Sequence, residues 1–148
     1  MPLLRAVVAA LAPDRAVVLV GEPFETVEAV AATPVADLLV VFADADADAP
    51  AGTTPGGTPL RFRPELRERT GARDVVVDAA GALAPELARR VLKRDGLYVT
   101  RTEGAALAAF PHRATLATWP GVATTEGPVH VGSRAPLPPE WTPGRPVE

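Results

Sequence analysis

Three runs of apolar residues, AVVLV at 16–20, LLVVF at 38–42 and VVV at 75–77, set the narrowest limit on how this chain can fold. A strand with one wet face alternates apolar and polar residues. A continuous apolar run is instead the mark of a strand covered on both faces. Between these runs lie stretches of helical spacing. Phe24, Val27, Val30 and Ala31 fall on one helical stripe, and so do Leu87 and Val91, with Ala84, Ala88 and Leu92 beside them. Buried strands alternating with helices require a parallel sheet with right-handed crossovers.

The remaining elements follow from local signals. Leu4, Val7, Val8 and Leu11 predict a first helix over 2–11. Ala10-Leu11-Ala12 imitates a leader-cleavage site, but Arg5 interrupts the apolar run before it. Thr33-Pro34 stops the second helix, and DADADAPAGTTPGGTP has the composition of a loop. A short strand is expected at 60–63, then one or two helical turns over 64–70. A helix over 85–93 opens at Pro85, with Glu86 in its first turn and Lys93 and Arg94 at its end, as the helix dipole favours. A turn at Gly96 leads to a strand at 97–99. Thr102 is a candidate N-cap for a helix to Phe110. Strands at 113–119 and 128–133 are joined too closely for a helical crossover, so they should run antiparallel. From Ala135 the chain holds Pro136, Pro138, Pro139, Pro143 and Pro146 and should be extended. The expected organisation is one α/β domain over 1–134 and a proline-rich tail over 135–148.

Composition narrows the functions. The chain has 148 residues, 47% of them apolar and 5% aromatic, so one core built on Val, Leu and Ala is expected. A net charge of −3 argues against a broad grip on nucleic acid. Arg61, Arg63, Arg67 and Arg69 are interleaved with Glu65 and Glu68, which suits a solvated face. Cysteine is absent, which removes disulfides, thiol nucleophiles and thiolate metal sites and fits a reducing, cytoplasmic setting. No apolar stretch is long enough to span a bilayer, so no membrane partner is expected.

An alternating sheet closed by an antiparallel hairpin resembles the class I S-adenosylmethionine-dependent methyltransferases, a Rossmann-like family whose seven strands lie in the order 3-2-1-4-5-7-6. The motif evidence is Asp74-Val75-Val76-Val77-Asp78, standing where the family has a fourth strand ending in Asp. Leu92-Lys93-Arg94-Asp95-Gly96-Leu97-Tyr98-Val99 stands where it has Leu-Lys-Pro-Gly-Gly and an apolar fifth strand. The implied fold is a three-layer, mostly parallel sheet of seven strands ending in an antiparallel hairpin. Medium-chain dehydrogenases carry a similar strand–helix–strand, so a nicotinamide-dependent oxidoreductase fragment is an alternative. The late hairpin and the missing dinucleotide fingerprint after the first strand favour the methyltransferase likeness.

The resemblance assigns roles by position. Gly21 matches the first glycine of the family's cofactor turn, where positive φ lets backbone approach the methionine part of the cofactor. Glu22 and Pro23 follow it where further glycines are usual, and Glu22 is a possible hydrogen-bonding group for a ligand. Asp44, with Asp46 behind it, stands where an acid holds the ribose hydroxyls; a carboxylate accepts two hydrogen bonds from a diol. The alternative is that Asp44, Asp46 and Asp48 solubilise a loop tip. A calcium loop fits poorly, since Ala49 and Pro55 occupy the positions needing Gly and Glu, and no metal site is expected. Asp78, at the end of the fourth strand, is the candidate catalytic base near the methyl acceptor. His112 and His130 are the only histidines, and Trp119 and Trp141 suit packing.

The damaged glycine turn leads to the expected function: a methyltransferase-like domain that has lost efficient cofactor binding and serves as a binding or assembly module. Its partner would be another protein or a second copy, met through the hairpin and tail. The alternative is an active enzyme using S-adenosylmethionine on an unknown acceptor.

Overall fold

In the computed structural model, AVVLV is strand β1 (Ala16–Val20), and it lies in the middle of the sheet with a neighbour on each side. The structure describes residues 2–11, 14–21, 24–41, 52–53, 57, 59–63, 66, 70–117 and 127–137. Helices α1 (Pro2–Leu11) and α2 (Phe24–Ala31) flank β1 in the chain. Then come β2 (Asp37–Val41), the two-residue β3 (Gly52–Thr53), β4 (Pro59–Arg63) and β5 (Arg73–Asp78). The second half holds α3 (Pro85–Val91), β6 (Leu92–Thr100), α4 (Ala105–Ala108), β7 (His112–Leu116) and β8 (Val129–Ser133).

Among the described residues the sheet order is β3-β4-β2-β1-β5-β6-β8-β7. Strands β4, β2, β1, β5 and β6 are mutually parallel, and β8 runs antiparallel to both β6 and β7. Without the short β3, which pairs antiparallel with β4, the seven longer strands stand in the order 3-2-1-4-5-7-6. The reversed strand inserted between β6 and β7 distinguishes this topology from a doubly wound dinucleotide fold.

Strand alternation divides the core into two layers. Val17, Leu19, Leu38, Val40, Val75 and Val77 face α1 and α2, and pack with Leu3, Leu4, Val7, Val8 and Val30. Val18, Leu39, Val41, Val76 and Tyr98 face the other way, onto Ala88 and Val91 of α3 and Leu107 of α4. Both faces being covered is why these strands read as unbroken apolar runs.

Besides the stretch 44–59 expected as a loop, which holds β3 and the first residue of β4, three local expectations need correction. The helix expected to reach Lys93 ends at Val91, because Leu92 already pairs with Arg73 in the sheet. Gly96 is not a turn but part of a bulge. From Arg73↔Leu92 to Val75↔Leu97, β5 advances two residues while β6 advances five. A Cβ on Gly96 would lie 2.9 Å from Leu92 Cδ2, 3.0 Å from Lys93 O and 3.1 Å from Asp74 O, so a residue without a side chain is needed there. The third correction is α4, which covers only Ala105–Ala108 and starts after Gly104 with no side-chain cap. Thr102 does not cap it; the Thr102 hydroxyl donates to Ala79 O at 3.1 Å. The turns expected over 64–70 lie largely outside the described residues.

The amino edge of the parallel strands is tied by charge. Arg73, 2% exposed, donates from Nη1 to Asp37 Oδ2 at 2.8 Å, linking β5 to β2 across the end of β1. Asp74 accepts from Ala16 N at 2.8 Å and pairs with Lys93 at 3.2 Å. Past β8, Leu137 packs against the core, so the described start of the tail lies on the domain.

Candidate functional site

The carboxyl edge of the sheet is where ligands sit in open α/β folds, at the point where the strand order reverses. Here that point lies between β1 and β5. Leaving β1, the chain turns at Gly21 with φ of 65°, and Gly21 N donates to Val41 O at 2.7 Å. An added Cβ at Gly21 would meet no heavy atom within 4 Å, so the glycine answers to backbone conformation and the space above it is open.

Beside it, β5 ends at Asp78, which is 1% exposed. Its carboxylate organises the following loop. Oδ1 accepts from Ala82 N at 2.9 Å, and Oδ2 accepts from Leu83 N at 2.9 Å and from the Tyr98 hydroxyl at 2.8 Å. Gly81 N donates to Asp78 O at 3.0 Å and closes the turn, with Gly81 at φ of 67°. Tyr98 stacks on Phe110 with ring centroids 5.3 Å apart. Burial, and then the hydrogen bond to Asp78, push the Tyr98 hydroxyl pKa above its ordinary range. Ala79 O in turn accepts from Arg101 N at 3.2 Å and from Thr102 Oγ1 at 3.1 Å, which ties the loop after β6 to the loop after β5.

These loops enclose a cleft of about 400 Å³, lined by Gly21, by Ala79 and Ala80, by Arg101 and Thr102, and by Gly127 and Pro128 before β8. Of the residues expected at a site, Gly21 lines the cleft, while Asp78 lies beneath its wall, one residue before Ala79. Glu22, Asp44, Asp46 and Asp48 lie outside the described residues, as do Trp119 and Trp141. Val41, which accepts from Gly21 N, brings the end of β2 alongside the turn.

His112 and His130 do not share a site. His112 pairs with Ser133 and His130 with Thr115, three rungs apart on the hairpin, and alternation puts the two rings on opposite faces. Among the described residues, no three His, Asp or Glu side chains are grouped to hold a metal ion. No helix of the described residues is long and apolar enough to cross a membrane.

Sequence reasoning missed Tyr98 as the partner of Asp78, and it missed Arg101 and Thr102 as cleft walls. The first pair lies twenty residues apart, and only the β5–β6 register joins it. No protein-family model matches this chain, and no curated protein matches it. The likeness to class I methyltransferases therefore rests on topology, which is consistent with that Rossmann-like fold.

Proposed function

We propose that this chain is a methyltransferase-like module that keeps the fold without efficient S-adenosylmethionine binding and serves as a binding or assembly subunit. The supporting observation is the state of Asp78. A general base must come within hydrogen-bond reach of the proton it takes. Asp78 is buried, and its two oxygens accept three hydrogen bonds from its own chain. We assign it the role of loop anchor. The described cleft walls add Arg101 and the Thr102 hydroxyl to otherwise small, apolar groups.

A second reading, an active methyltransferase, draws on Gly21. Its positive φ and the open space over it suit a cofactor lying close to the chain's backbone. In that reading Gly21 and Glu22 hold the methionine part, Asp44 and Asp46 the ribose, and the acceptor lies near Asp78. Bound S-adenosylmethionine would supply the electrophilic methyl group. The chain's part would be alignment of donor and acceptor.

Thermal melting with S-adenosylmethionine and its demethylated product separates the two. A ligand at about a hundred times its dissociation constant adds about 2.7 kcal/mol, a rise of several degrees. The module reading expects no rise at millimolar ligand, and a clear rise would replace it with the enzyme reading. Sedimentation of the full chain tests self-association. A monomer at all concentrations sinks the second-copy version and leaves a different protein as partner.

A further inference from the structure

A second, open groove of about 320 Å³ lies between the start of α4 and the β7–β8 hairpin, its lining beginning at Glu103, one residue past Thr102 of the cleft. Its floor is the imidazole of His130, 5% exposed. The hairpin register sets Thr115 across from His130, and Thr115 Oγ1 is 3.1 Å from Nδ1. On the other side, Nε2 is 3.7 Å from Glu103 Oε1. The Thr115 hydroxyl and Nδ1 thus share a hydrogen bond on one side of the ring, and the Glu103 carboxylate lies near the other. Glu103 itself is exposed and stands at the rim of the groove.

Arg113 lines the same cavity from β7. Among the described residues, no ion pair joins Arg113 to a carboxylate, and Glu103 pairs with His130 rather than with Arg113. Glu103 and Arg113, both exposed, thus set an anion and a cation on the rim of one open groove, with Leu107 and Ala108 as an apolar surface between α4 and the hairpin. Size limits the occupant. Small-molecule sites run from about 300 to 1,000 Å³, so this groove, at the lower end, matches a small ligand.

We infer that this cavity binds a small zwitterion, an α-amino acid with a short apolar side chain. Its ammonium meets Glu103, and its carboxylate meets the Arg113 guanidinium, whose paired N–H groups match two carboxylate oxygens. The side chain lies on Leu107 and Ala108. His130 lies behind the two charged groups, with Nδ1 on the Thr115 hydroxyl.

Calorimetric titration of the full chain with L-leucine tests this, with 4-methylpentanoate and 3-methylbutylamine as molecules carrying one of its two charges each. The expected result is saturable binding of L-leucine, with each half-molecule weaker by about tenfold or more. Glu103→Gln and Arg113→Gln should each weaken L-leucine binding by about tenfold or more while leaving the melting temperature of the free protein unchanged. Absence of saturable binding by L-leucine and by L-alanine at about 10 mM overturns the inference. So does half-molecule binding equal to that of L-leucine. Binding that survives both substitutions places the ligand elsewhere, in the Gly21 cleft for example, and also overturns it.

Discussion

Tyr98 is the one tyrosine of the chain, fully buried, with its hydroxyl on the Asp78 carboxylate. Removing that hydroxyl strips one hydrogen bond from a buried charge. Tyr98→Phe should lose about 1.5–2 kcal/mol at neutral pH, measured by urea denaturation. Because the folded-state pKa of Tyr98 is raised, first by burial and then by Asp78, its stabilising contribution is whole below the unfolded value of about 10. It drains away as pH rises beyond that value toward the folded one, since the unfolded chain ionises first. The stability gap between the native protein and Tyr98→Phe should therefore narrow above about pH 10. Tyrosinate absorbance follows the same residue directly. A gap that stays constant to high pH would mean that Tyr98 does not hold Asp78 as described. None of this was legible locally. Asp78 could be read as an acid at a strand end, but its three donors arrive from the next loop and the next strand.

At the level of elements, β1 and β2 were legible because a strand covered on both faces has no polar positions to confuse its pattern. The reversed final pair was legible because so short a connection cannot cross the sheet. The α3–β6 junction was not. Val91 to Gly96 carries helix-ending and turn signals, yet Leu92 pairs with Arg73 and the next residues bulge out of register. That outcome depends on a partner strand, not on the segment itself. The bulge makes a sharp prediction. Gly96→Ala forces a methyl against two carbonyl oxygens and a buried leucine and should cost about 2 kcal/mol or more. Gly104→Ala, where an added Cβ meets nothing within 4 Å and φ is −129°, should change the melting temperature little. Equal effects from the two would contradict the crowded bulge. The hairpin register likewise decided the fate of the histidines: nothing near His130 in the sequence points to Thr115 or Glu103.

Across the whole molecule the two edges of the sheet differ in what they do. Asp37 joins β2 to the buried Arg73 of β5 and lies 3.5 Å from Arg61 of β4. Removing one member of a buried pair is costly because the other charge stays in place. Asp37 is itself partly exposed, which reduces the loss. Asp37→Ala should cost about 2 kcal/mol, read by denaturation, without altering binding at either cavity. A substitution in the cleft wall, Thr102→Ala, should have the smaller effect on melting. If Asp37→Ala proves neutral, the cross-tie holds nothing.

With its charged fastenings at one rim and the Gly21 cleft at the other, the domain can exchange the groups around that cleft one by one while the strands stay clasped. Substitutions at the open rim then leave a durable scaffold whose ligand-facing groups can vary without disturbing the order of its strands.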